Sequence, residues 1–418
     1  MGEDQVAGSE SDSSDGVRTG AEARGVLILS GGDSVIPLVN GLSEHYDLVV
    51  LNPDIARSLA QAGLPVINPA DVISSGASEQ ANNLATIMAA KAMNPSFKKF
   101  GVKLRKQKDW FPGWLHARLR RILFRIMAFD ALLEQKKIAG LVVHNDVEED
   151  LKTLVLWAKA RGIPSIHVPH AIYHDTWRGP AGTDVHDICL TDHLFAIGPF
   201  QKRWYEERGA KGVELIGCPK WDKWVHGQDK PWAKKTLKLD DRPVVIYASS
   251  WHQQTATEGK GEWHETAYRA FLEASKSFDY QFIVKVHPRG AIGIEPHVGI
   301  ARQLEAKCIV TRGYLDMCLH AADALVAFGP SNIILEAAML GVPSISLGGF
   351  GEDAEVATCN WDAGEIEDSL NRVLSEKPAL DSLLAKYVHE PDGGATDRAT
   401  ERILEICNRS TGLALQSK

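Results

Sequence analysis

Much of the meaning of this chain lies in what it lacks. Its 418 residues contain no Asp-x-Asp, no His-Glu-x-x-His and no Cys-x-x-Cys, so the usual ways of writing a divalent-metal or dithiol site into a sequence are missing. Six cysteines, Cys189, Cys218, Cys308, Cys318, Cys359 and Cys407, are scattered singly. They read as free thiols rather than as a disulfide frame. No apolar run approaches the roughly 20 residues of a membrane span. The first residues lack a basic start followed by an apolar core, so no secretion signal is expected, and a reducing cytoplasm fits. Gly31-Gly32 is too short for a G-x-G-x-x-G or Walker loop. A formal net charge of −8 gives no overall sign of nucleic-acid binding.

What is present is a globular composition, 44% hydrophobic and 24% charged, in a chain long enough for two domains. Residues 1–24 are rich in Gly, Ser, Asp and Glu and read as a disordered tail. Order begins at Gly25-Val26-Leu27-Ile28-Leu29. Further buried-strand patterns cover Leu48–Leu51, Pro65–Ile67, Leu141–His144, Ser165–Val168 and Leu194–Ile197. A second series covers Pro243–Tyr247, Gln281–Val286, Cys308–Val310, Ala324–Ala327 and Ser344–Leu347. Helices are expected over Glu262–Ser275, Asp316–Ala322 and Ser331–Leu340. Strands alternating with helices predict parallel α/β sheets. The expected organisation is an N-terminal domain over 25–216, a linker over 217–242 rich in Lys, Trp and Pro, a C-terminal domain over 243–390, and a segment 391–418 that returns over the cleft. Both domains should be doubly wound, with ligands beyond the carboxyl ends of their strands.

The segment from Phe328 to Leu347 carries the clearest chemistry. Gly329-Pro330-Ser331 is a turn with a natural N-cap, and Ile333, Ile334, Ala337 and Leu340 follow at helical spacing. An open helix N-terminus after a buried strand is an anion site, because its unpaired N–H groups point outward. Glu336 lies where a carboxylate accepts hydrogen bonds from ribose hydroxyls. An ordinary strand-loop-helix of any α/β protein has the same appearance. Lys285 and Arg289 are cations that a diphosphate leaving group requires. His170 and His287 each follow a buried strand, where an imidazole at a cleft can move protons near neutrality; a structural histidine is the bland alternative. Gly31, Gly32 and Asp33 form a tight turn that lets a ligand approach the backbone. Residues 97–125 carry ten basic residues against one acidic, Asp109, with Trp110, Phe111, Trp114 and Phe124 among them. Such a stretch suits an anionic membrane surface or a polyanion, or it is a solvated helix face whose long side chains cover apolar surface.

Together these elements resemble the CDP-glycerol glycerophosphotransferase family, within the wider GT-B glycosyltransferases and the related UDP-GlcNAc 2-epimerases. The likeness rests on His170-Ala171, Gly217-Cys218-Pro219-Lys220-Trp221-Asp222, Tyr247-Ala248-Ser249-Ser250-Trp251 and His287-Pro288. Asp316, Asp323, Ser331-Asn332 and Glu336 continue it, and Asp392-Gly393-Gly394-Ala395-Thr396-Asp397-Arg398 closes it. The chain departs from the family in having His-Ala for His-Gly and Phe328-Gly329-Pro330 for Thr-Asp-Tyr. The match runs over roughly 165–400.

The resemblance implies two Rossmann-like domains facing across a cleft, and a metal-independent enzyme without a cofactor, its nucleotide-activated donor being a substrate. It implies His170 and His287 as the catalytic pair. Ser249, Lys285, Arg289, Gly329, Ser331, Asn332, Glu336, Thr396 and Arg398 would lie around the donor. The expected reaction is transfer of a glycosyl or glycerophosphoryl group from a CDP-, CMP- or UDP-linked donor to a polymeric or lipid-linked acceptor, such as a cell-surface polysaccharide or teichoic acid. The expected setting is cytoplasmic, peripheral at the inner membrane face. The transferred group stays open among glycerol phosphate, Kdo, sialic acid and a hexosamine. The rivals are a UDP-GlcNAc 2-epimerase-like enzyme, which needs no acceptor, and a non-catalytic nucleotide-sugar-binding protein.

Overall fold

A computed structural model of the protein describes residues 24–67, 76–92, 111–146, 148–172, 190–225, 228–249, 261–288, 293–328, 331–348, 356–376 and 378–411. Two six-stranded sheets dominate it, and every strand pair is parallel. The first holds β1 (Val26–Leu29), β2 (Asp47–Val50), β3 (Ile138–Val143), β4 (Ser165–His167), β5 (His193–Ala196) and β6 (Val213–Leu215), in the spatial order β2-β1-β3-β4-β5-β6. The second holds β7 (Val244–Ala248), β8 (Gln281–Lys285), β9 (Cys308–Thr311), β10 (Ala324–Phe328), β11 (Ser344–Leu347) and β12 (Ala357–Cys359), in the order β12-β11-β10-β7-β8-β9.

The central strands are continuous apolar runs because helices cover both of their faces. Side chains alternate across a strand, so Leu27 and Leu29 enter one core while Val26 and Ile28 enter another. Val244 and Ile246 part from Val245 and Tyr247 in the same way. This is the doubly wound α/β architecture that the alternation predicts. Two differences are local. Pro65–Ile67 makes only a bridge between Leu48 and Val66. β6 and β12 are edge strands of three residues each, too short to leave a periodic signal.

The segment after β6 is packed, not loose. Pro219–Trp224 forms a tight helical turn with Trp221 and Trp224 buried, and a helix spans Lys230–Leu237. Lys223 pairs with Asp316 at 2.8 Å and Lys230 with Asp323 at 2.5 Å, which fastens this segment to the second domain. The helix Ala395–Thr411 then returns to the first sheet. Its Ala399, Ile403, Ile406 and Cys407 share a core with Leu27, Leu29 and Val142. Among the described residues Cys218, Cys308, Cys318, Cys359 and Cys407 are free thiols.

Of the basic stretch, 97–110 lie outside the described residues. The helix Phe111–Gln135 packs along Ala77–Ala92, where the Thr86 hydroxyl meets His116 Nε2 at 3.1 Å. Arg121 and Arg125 share one carboxylate, Asp150, at 3.2 and 2.7 Å. Arg118 lies over the Trp114 ring. No helix among the described residues is long and apolar enough to cross a membrane.

Candidate active site

Each sheet reverses its strand order once, the first between β1 and β3 and the second between β7 and β10. The crevice beyond the carboxyl ends at such a reversal is where ligands bind in open α/β sheets. Residues 30–33 follow β1 and His144 follows β3. Ser249 follows β7, and Ser331 with the helix Asn332–Met339 follows β10.

At the first reversal the packing is tight. A Cβ on Gly32 would lie 2.3 Å from Cγ of His144, so only glycine fits there. The Ser30 hydroxyl meets His144 Nδ1 at 2.8 Å and accepts the His144 N–H at 3.1 Å. Ser34 ties the turn to β4 through the Val168 carbonyl at 2.9 Å. The carbonyl of His144 accepts from His167 Nε2 and from His170 Nδ1, each at 3.1 Å. His170 bound in this way carries its proton on Nδ1 when neutral, which makes Nε2 its basic nitrogen. The His144 and His170 rings meet edge to face at 5.3 Å. Burial, assisted by the neighbouring His170, pushes His144 down to about 4. Burial also pushes His167 down to about 4.

Lys220 connects this side to the second domain. Its ammonium lies 3.7 Å from Asp33 and 3.6 Å from Glu336. Burial alone would lower the Lys220 pKa, but the carboxylates of Glu336 and Asp33 outweigh it and hold it up. Burial works against Asp33 as well, yet Lys220, with His170 and His144, holds its carboxyl below the usual range. Glu336 is buried and accepts from the Trp221 indole N–H at 2.9 Å through Oε1; Oε2 has no hydrogen-bond partner among the described residues. A second link joins Asn332 Oδ1 to the Ile172 N–H at 3.0 Å, two residues past His170.

On the second domain Ser331 takes the N-cap position in extended backbone, but its hydroxyl makes no capping bond. Ser249 is buried and accepts the His287 N–H at 2.9 Å, so it fixes the residue that follows β8. Three of the expected donor residues have partners within the fold. Lys285 is buried and donates to the carbonyls of Val286 and Arg312, at 3.1 and 2.8 Å, and burial lowers its pKa. Arg398 donates to the Ile216 and Glu390 carbonyls and pairs with Asp392, so its guanidinium is consumed inside the fold. Thr396 donates its N–H to Asp222 at 2.7 Å, and its hydroxyl approaches the Pro219 carbonyl. These last two close the 217–222 turn against the final helix. Gly217, at φ +94°, completes that closure, because a Cβ there would strike Ala395. Arg289 and Gly329 lie outside the described residues.

Two members of the cluster, His144 and Lys220, did not emerge as site residues from the sequence. His144 follows a buried strand as His170 does, which is the same signal. Lys220 stands inside the Gly217–Asp222 element. Among the described residues no group of His, Cys, Asp and Glu is arranged to hold a metal ion.

No protein-family model matches the chain, and no curated protein matches it in sequence. Solved structures do match in fold. A UDP-GlcNAc 2-epimerase from Neisseria meningitidis, bound to UDP-GlcNAc, superposes with a TM-score of 0.56 at 14% identity, over 91% of this chain and 99% of that one. The wall teichoic acid polymerase TagF superposes with a TM-score of 0.52 at 12% identity, over 93% and 90%. The calicheamicin glycosyltransferase CalG4 gives 0.52 at 13% identity, over 93% and 99%. At these identities the likeness is one of fold, and the fold is GT-B.

Proposed function

We propose that the protein is a GT-B transferase that moves a glycosyl or glycerophosphoryl group from a nucleotide-activated donor to a hydroxyl of a polymeric or lipid-linked acceptor. The observation that carries this reading is the pairing of two unlike half-sites. One is a histidine cluster on the 30–33 turn; the other is an uncapped helix start with a buried carboxylate, and Lys220 stands between them. The helix start and Glu336 are suited to a diphosphate and a ribose. His170, with its Nε2 basic, removes the acceptor proton as the new bond forms to the transferred group. The bond from that group to the nucleotide phosphate breaks, and the electron pair leaves on the phosphate oxygen. His287, whose backbone N–H is held by Ser249 just past β8, would stabilise the charge that develops on that oxygen. No cofactor or metal is required in this scheme.

The paired helices Ala77–Ala92 and Phe111–Gln135 expose Leu84, Ile87, Met88 and Trp114 beside basic residues. A surface that is both apolar and basic fits an anionic membrane face, where a lipid-linked acceptor would be met.

The test is incubation of the purified chain with a panel of CDP-, CMP- and UDP-linked donors and lipid or polymer acceptors, followed by mass spectrometry. Transfer from any donor supports the reading, and none across the panel refutes it. The likeness to the Neisseria epimerase supports a second reading, inversion at carbon 2 of UDP-GlcNAc without an acceptor. Proton NMR of UDP-GlcNAc incubated with the chain alone separates the two.

A further inference from the structure

His144 has features that its place in the packing does not require. It stands at the strand-order reversal of the first sheet, half-buried, against Gly32 on one side and His170 on the other. The Ser30 hydroxyl favours one tautomer of the His144 ring. That hydroxyl already accepts the His144 N–H, and its own proton has no other acceptor among the described residues than His144 Nδ1. Ser30 therefore donates to Nδ1, and the imidazole carries its proton on Nε2. Nε2 itself has no hydrogen-bond partner among the described residues. The groups around the ring are His170, Glu148, Asp33 and His167, and burial keeps the ring neutral through the physiological range. His170 has the opposite tautomer, with its proton held by the His144 carbonyl. Two neighbouring rings thus offer one N–H donor and one basic nitrogen.

We propose that His144 is a catalytic residue that donates its Nε2–H to an acceptor oxygen adjacent to the hydroxyl that His170 deprotonates. The inference rests on the transferase reading above. It names the acceptor class as a polyol or sugar with vicinal oxygens, of which one reacts and the other is held. His144 transfers no proton; the proton of the reacting hydroxyl goes to His170. A neutral imidazole is the better donor here, because a second cation beside His170 would lower the basicity of the base.

Two measurements on the full chain test this. The first is long-range proton–nitrogen NMR with nitrogen-15 histidine, in which His144→Gln identifies the His144 signals. The Nε2–H pattern should persist, uncharged, from pH 8 down to about 5. An Nδ1–H pattern, or a midpoint near the ordinary histidine value of about 6.5, overturns the proposal whatever the activity. The second is kinetics with the donor and acceptor found active above. His144→Phe keeps a ring against Gly32 but has no donor, and should lower kcat/KM for the acceptor about 100-fold, the size expected for one positioned donor. Donor affinity should be unchanged, and His144→Gln, which keeps an N–H, should recover most of the loss. A folded His144→Phe protein with wild-type acceptor kinetics refutes the role of His144 alone. Failure of the wild type with every pair refutes the transferase reading and this role together.

Discussion

Replacement of Asp222 by alanine separates scaffold from site. The Asp222 carboxylate accepts from the N–H groups of Ala395 and Thr396, at 3.1 and 2.7 Å, and so caps the helix Ala395–Thr411 from a distant part of the chain. A capping side chain contributes about 1 kcal/mol, and a carboxylate at a helix N-terminus adds about 0.3–1 kcal/mol. The loss should therefore be near 2 kcal/mol. It should reach the whole first domain, because Ala399, Ile403, Ile406 and Cys407 of that helix are core residues. At roughly 2–4 °C per kcal/mol for a domain of this size, Tm should fall by about 4–8 °C. Asp222→Asn keeps one acceptor oxygen and should recover part of the loss. Scanning calorimetry measures the shift, and hydrogen exchange of peptides from 395–411 locates it. Nucleotide affinity should be unaffected, because Asp222 is engaged by the Thr396 backbone while Arg398 is engaged by Asp392 and the carbonyls of Ile216 and Glu390. Unchanged melting together with weakened nucleotide binding would refute this reasoning and return Thr396 and Arg398 to the donor site.

Gly32→Ala places a methyl group against the His144 ring and should cost about 1–3 kcal/mol as overpacking; the cost is read by urea unfolding, and a neutral result would mean that the turn yields freely. His170→Ala and His287→Ala should each lower turnover about 100-fold without early melting; a stable, fully active variant of either would remove that histidine from the mechanism. Stability should fall on acidification from about pH 6.5 to 4. His167 is fully buried with its pKa pushed down to about 4, so the unfolded chain takes up the proton first. About 2.5 pH units correspond to about 3 kcal/mol; His144 adds in the same direction, while Asp146, raised by burial to about 6, opposes part of it. His167→Phe should flatten this acid limb, and parallel urea-stability curves for variant and wild type at pH 7 and 5 would contradict the assignment. Replacement of Lys103, Arg105, Lys106 and Lys108 by Gln should sharply reduce sedimentation with anionic vesicles, at about 1 kcal/mol per charge; equal pelleting would make the stretch a solvated face.

The fold was legible because both sheets are parallel and covered on both sides. Buried strands then become apolar runs such as Val26–Leu29 and Val244–Tyr247, and Pro343 and Gly341 punctuate the helix ends. The helix at 332–339 follows from the same punctuation. Partnership across the chain was not legible. Thr396 and Arg398 stand in a motif that looks ready for a ligand, and only the return of the last helix shows that Asp222, Ile216 and Glu390 occupy them. Lys285 ends a strand as a cleft residue does, but the chain cannot tell which face of the sheet edge its long side chain takes. His144 follows a buried strand as His170 does, but its place beside the 30–33 turn depends on strand order, which puts β3 next to β1 and is written nowhere in local pattern.

The return of the last helix also governs when the first domain can be complete. Tyr46 donates its hydroxyl to Asn408, 362 residues away, and the core under β1 includes Ile403, Ile406 and Cys407. At about 5–20 residues per second, synthesis separates those partners by roughly 20–70 s. During that interval the second domain can fold locally, since both faces of its sheet are supplied by nearby chain. Until then the first domain has part of one apolar face of its sheet uncovered, the part that Ala399, Ile403, Ile406 and Cys407 fill. Assembly of this protein therefore ends where it began, at β1, and the nascent first domain is the stage at which a chaperone would find the most to hold.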